Sequence, residues 1–143
     1  MPMSAVKRRQ AAVLGLLSCV ELDGFVVAQI RSTEGAAEVL RRVAGGRLKA
    51  TAHQRRGATY VLGRLGDAES APVLIDLLRN ADRKLRLSAG VALAALDLDE
   101  PSRAALIELA DREDADPVEA AYLREAVAAT RQRAIQTRVR TLR

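Results

Sequence analysis

The stretch RRGATYVLGRLGDAESAPVLIDLLRNAD, Arg55 to Asp82, holds two apolar runs separated by a Leu-Gly-Asp break. Leu74, Leu77 and Leu78 recur at i, i+3 and i+4, the spacing of one face of a helix. Gly66 can take the left-handed conformation that ends a helix. Asp67 or Ser70 can then accept hydrogen bonds from the free N–H groups of the next helix. Pro72 is tolerated in that helix because the first turn does not need its missing N–H. Asn80-Ala81-Asp82 makes a second, tighter joint. The stretch reads as a turn between stacked helices.

The pattern repeats. Placing Arg55 on Arg86, at an offset of 31 residues, also places Ala58 on Ala89, Leu62 on Leu93 and Leu65 on Leu96. Downstream, SAPVLIDLLRNAD (Ser70 to Asp82) has a weaker partner in SRAALIELADRED (Ser102 to Asp114), at an offset of 32. Two apolar stripes per unit, at a period near 31, describe a helical hairpin that buries its faces only by stacking on its neighbours. The spacing predicts eight helices, near 4–17, 22–31, 34–44, 48–65, 68–79, 83–96, 100–112 and 117–141.

At these residues the chain resembles the HEAT repeats, in the short form found in phycobilisome lyases. Arg55, Ala58, Leu62, Gly63, Leu65, Gly66, Asp67, Ala71, Leu74, Ile75, Leu78, Asp82 and Arg86 fill matching places. The resemblance covers about residues 48–114. It implies an all-α fold, a short α-solenoid of antiparallel helix hairpins used as a protein-binding scaffold. It also implies a structural ladder, in which Asp82 in the turn and Arg86 at the start of the next helix bond along the stack. Arg55 is expected to act likewise one unit earlier. Residues 1–33 are expected to form an atypical cap, 34–114 the regular repeats and 115–143 a capping helix with an Arg-rich end, all in one domain.

Composition narrows the function. Hydrophobic residues are 49% of the chain while the aromatics are only Phe25, Tyr60 and Tyr122, so the core must be aliphatic and Ala-rich. A single cysteine, Cys19, excludes an intrachain disulfide, and Cys19 with His53 cannot make a zinc cluster. A cytoplasmic setting is expected. AAVLGLLSCV, after Lys7-Arg8-Arg9, is apolar like a leader. Its VLGLL echoes VLGRL of the repeat, so it is read as helix, too short to span a membrane.

Candidate chemistry is sparse. Asp97, Asp99 and Glu100, and Asp111, Glu113, Asp114 and Asp116, cluster at joints where carboxylates cap helices. DREDAD lacks the glycine and terminal glutamate of a calcium loop. His53 has no nucleophile beside it in sequence, and Cys19 is read as a packing residue. No phosphate loop or metal spacing occurs, so no catalytic residue, cofactor or metal is expected.

Charge is the functional signal. Residues 1–64 carry +7, 65–130 carry −7 and 131–143 carry +5. RQRAIQTRVRTLR sets Arg131, Arg133, Arg138, Arg140 and Arg143 beside Ile135, Val139 and Leu142, a basic amphipathic helix. The leading expectation is a non-catalytic scaffold for another protein. Its docking face comprises Arg56, Tyr60 and Arg64 with Ser88 and Ala92, and the Arg-rich end is a second contact. The alternatives are sequence-independent nucleic-acid binding through the basic segments, self-association between opposite charges, and an accessory subunit of a tetrapyrrole lyase.

Overall fold

A computed structural model describes residues 3–142, so Arg143 lies outside the described residues. It contains eight α-helices and, among the described residues, no strand. They are α1 (Ala5–Leu17), α2 (Gly24–Arg31), α3 (Ala36–Ala44), α4 (Ala52–Leu65), α5 (Ala71–Asn80), α6 (Arg83–Ala94), α7 (Glu100–Ala110) and α8 (Pro117–Thr141). The predicted α-solenoid is the observed fold. The largest departure is at α4, which starts at Ala52 because Thr51 and Gln54 form a reciprocal capping box there.

Three hairpins, α3/α4, α5/α6 and α7/α8, stack side by side. α4, α6 and α8 form one layer, α3, α5 and α7 the other, and the contacts within the first layer are much the more extensive. α1 packs on α3 and α4, burying Val13 and Leu17, while α2 buries Val27 and Ile30. Between the layers Leu40, Leu62, Leu74, Leu93 and Leu106, one from each of α3 to α7, are fully buried. Each such leucine contributes roughly 1.5–3 kcal/mol of transfer free energy.

The α4–α6 contact depends on Gly63. A β-carbon there would stand 2.9 Å from the Ala92 Cα, so the helix backbones are already as close as a glycine permits. The expected turn at Gly66 is present, with φ of 67° in the left-handed region. The expected caps after it are not. The Asp67 carboxylate pairs with Arg41 at 2.6 Å, and the Ser70 hydroxyl donates to the Asp67 carbonyl, so neither side chain caps α5. A single 3₁₀ turn, Ala68–Ser70, leads into α5 instead, with Pro72 in its first turn as expected.

Side-chain caps occur elsewhere. Asp23, Asp82, Asp99 and Asp116 accept from the first-turn N–H groups of α2, α6, α7 and α8. The Asp99 carboxyl is held below its usual range by hydrogen bonds from Ser102, and Asp116 by the backbone N–H of Glu119 and then of Val118. Both folded values lie below the ordinary 3.8, so this stabilisation is complete above that pH and lost as acid titrates the caps below it. Asp116→Asn keeps a capping oxygen but cannot titrate. Urea unfolding should show that variant losing less stability than the native chain between pH 4 and 2.5, and identical acid slopes would contradict the capping role.

Gly63→Ala should destabilise the fold by about 1–3 kcal/mol, because the Ala92 backbone must move. Gly15→Ala, on an exposed helix position with no neighbour within 4 Å, should instead stabilise by up to about 1 kcal/mol. Equal shifts in the urea midpoint would show that the α4–α6 approach is not tight.

Candidate functional site

An arginine fork joins α6 to α8, but its acid is Glu119 and not the expected Asp82. The Arg86 guanidinium donates through Nε and Nη2 to the Glu119 carboxylate of α8, at 2.9 to 3.1 Å, and through Nη1 to the Ala81 carbonyl at 2.8 Å. Asp82, the expected partner, is occupied as the cap of α6, accepting from Leu85 N, and adds only a weak electrostatic contribution. The Glu119 hydrogen bonds raise the Arg86 pKa, with burial opposing them. Arg55 bonds the Ala44 carbonyl through Nη2 at 3.1 Å, while its buried Nε has no protein partner. The corresponding position on α6 is Leu85, which offers no acid.

The reason lies in register. The caps Thr51 and Asp82 are 31 residues apart, but Asp82 and Asp116 are 34 apart. The turn 112–115 is longer, so Asp114, matched to Asp82 by sequence, pairs with Arg112 instead. The final hairpin presents Glu119 three residues after its cap, where α4 and α6 have Gln54 and Leu85, and Arg86 bridges to it. Glu119 is only 17% exposed, which separates this pair from an ordinary surface bridge. Arg86→Ala should cost about 1–3 kcal/mol, and most of that loss should vanish in a Glu119→Gln background. Arg131→Ala, at an exposed position, should stay within about 0.5 kcal/mol. Additive losses at Arg86 and Glu119 would remove the pair from the list of contacts that hold the stack.

The candidate docking face lies on the α4–α6–α8 layer. Tyr60, Arg64, Ser88 and Ala92 line one concavity of about 310 Å³, with Gly63, Leu87, Val91, Ala95 and Tyr122. Tyr60, Val91 and Tyr122 are 43%, 53% and 42% exposed, an apolar strip contributed by three helices. Ala92 is buried and forms the floor rather than a contact surface. Arg56 is half-buried on α4, one turn before Tyr60, and does not line the concavity. Sequence reasoning missed Val91 and Tyr122. Val91 follows Ser88 at helical spacing and was legible, whereas Tyr122 required the altered register of α8.

The Arg-rich end splits into two parts. Arg133 donates to the Leu96 carbonyl and to Asp97, pinning α8 to the end of α6 beside the buried Thr130. Beyond it Ile135, Arg138, Val139, Arg140 and Leu142 are exposed, as is Arg131 before it. Among the described residues Arg131, Arg138 and Arg140 make no ion pair. His53 Nε2 meets the Cys19 carbonyl at 3.0 Å, and Gln54 bonds the Leu14 carbonyl and Ser18, so both serve the joint with α1. Among the described residues no helix is long and apolar enough to cross a membrane.

This stack of hairpins, closed by side chains at the helix ends and open along one face, defines an α-solenoid repeat protein. A family model for HEAT repeats matches residues 47–128, more than half of the chain, and the chain belongs to that family. No curated protein and no solved structure matches it.

Proposed function

We propose that this chain is a non-catalytic scaffold that holds a segment of another protein along the α4–α6–α8 groove. HEAT repeats commonly serve as protein-interaction scaffolds, and the family is generally non-catalytic. The observation that carries the reading is the shared exposure of Tyr60, Val91 and Tyr122 on three helices. Two of the three aromatic residues of the chain stand here, where rigid amphipathic rings give large contact area at little entropic cost. Arg64, one turn after Tyr60, also lines the groove, so the fitting occupant has an apolar anchor beside an acidic residue.

Nucleic-acid binding is the second reading, and several of its cations are committed elsewhere. Arg41 pairs with Asp67, Arg55 with the Ala44 carbonyl and Arg133 with Asp97 and Leu96. What remains is Arg131, Arg138 and Arg140 with the exposed residues of the N-terminal half.

Peptides selected from a random library on the native protein test the first reading. They should be rich in an aromatic or aliphatic anchor beside Asp or Glu, and Val91→Asp with Tyr122→Ala should weaken them by at least about tenfold. Binders indifferent to both changes, or no binders, would sink it. Random duplex DNA should bind weakly at physiological salt. A salt slope near −3 that disappears on changing Arg131, Arg138 and Arg140 to Gln would move the function to phosphate backbones.

A further inference from the structure

The solvent side of α8 carries a pattern that neither the repeat stack nor the groove uses. Val118, Ala121, Glu125, Ala128, Gln132, Ile135, Val139 and Leu142 alternate at spacings of three and four over the whole helix. All eight are exposed. Ala120, Leu123, Ala126 and Val127 are buried, so α8 has one apolar stripe against the body and another facing water. Spacing of three and four is the a/d seam of a coiled coil. Its apolar part is strongest toward the end, at Ile135, Val139 and Leu142.

The edge of this seam is charged in one sense. Arg124, Arg131 and Arg138 follow one another at intervals of seven along one flank, the other flank being Tyr122, Ala129 and Gln136. Arg124 reaches Asp111 at 3.0 Å, whereas Arg131 and Arg138 make no ion pair among the described residues. A helix laid on the seam meets this arginine flank with its own e or g positions, depending on direction. From Ile135 to Leu142 every residue is exposed, and so short an unsupported segment is marginal in water.

We infer that α8 is one half of a heterotypic two-helix coiled coil, and that its partner is an amphipathic helix with acidic residues flanking an apolar heptad seam. The inference rests on the reading of the chain as a protein-binding scaffold, but on a different surface from the groove. A second copy of the chain does not fit. Antiparallel pairing opposes Arg131 to Arg131 and Arg124 to Arg138, and parallel pairing opposes Glu125 to Glu125 within the seam. Glu125 and Gln132 at seam positions also select among partners, because each disfavours a wholly apolar mate.

Two synthetic helices of about four heptads, with Gln at the central seam positions that face Glu125 and Gln132, Ile and Leu at the other seam positions, and either Glu or Lys at every flanking position, test this on the full chain. The Glu helix should bind at least about 10- to 100-fold more tightly than the Lys helix, from the summed sign change at three flanking sites. Arg131→Glu with Arg138→Glu should reverse that preference. Changing Ile135, Val139 and Leu142 together to Ser should abolish binding of the Glu helix, and since all three are exposed, the melting point of the body should hold. Amide exchange at 134–142 should slow when the Glu helix is bound. Equal affinity for both helices, no affinity for either, or a dimer in sedimentation that dissociates on the Ser changes would each overturn the proposal. Val91→Asp should leave Glu-helix binding unchanged, so the groove and the seam can fail separately.

Discussion

Helices that stack end to end with tight joints bury the carbonyls of their last turns, and each such carbonyl needs a donor. Local backbone N–H groups supply many of these donors, and at six helix ends among the described residues one carbonyl is taken by a side chain from a neighbouring helix. Gln54 takes the Leu14 carbonyl at the end of α1, Arg55 takes Ala44 after α3, and Arg31 takes Arg64 after α4. Arg86 takes Ala81 after α5, Arg133 and Thr130 take Leu96 after α6, and Arg124 takes Ala110 after α7. A cation at a helix C-terminus is further favoured by the helix dipole. These forks join the helix ends across the stack, beside the close packing of α4 on α6 at Gly63 and Ala92.

That constraint explains much of the chemistry of the chain. Arginine is abundant because its planar group reaches a carbonyl and an acid at once, as Arg86 does with Ala81 and Glu119. The basic character is therefore partly architectural. Of the cations that read in sequence as a nucleic-acid surface, Arg41, Arg55 and Arg133 hold the fold together. The surplus lies on α8 at Arg131, Arg138 and Arg140 and on the exposed N-terminal half. Past the pin at Arg133 the helix leaves the body with a second apolar stripe in water.

The groove and the seam follow from the same geometry. Close approach at Gly63 and Ala92 draws α4 to α6, and beside it lies a concavity that small residues floor and two tyrosines flank. The seam residues of α8 are exposed among the described residues. In the interior hairpins the equivalent helix face is covered by the next unit, as α6 is by α8.

Much of this was legible in the residues alone. The three-and-four spacing of leucines, Gly66, Pro72 and the acidic joints determined eight helices and their pairing, because helix periodicity and capping are local and depend on near neighbours in sequence. The concave residues Tyr60, Arg64, Ser88 and Ala92 were also within reach, since a period near 31 brings equivalent positions side by side. What the tertiary structure alone decided were the partners. Asp82 and Arg86 are four residues apart and suit each other, yet the Arg86 fork goes to Glu119 and Asp82 to its own helix. The longer turn before α8 shifts the register by three residues, and only packing reveals which side chain then faces the fork. Tyr122 joins the groove, and Arg133 reaches Leu96, for the same reason. Contacts between elements depend on how far each helix slides along its neighbour, and no local pattern records that distance.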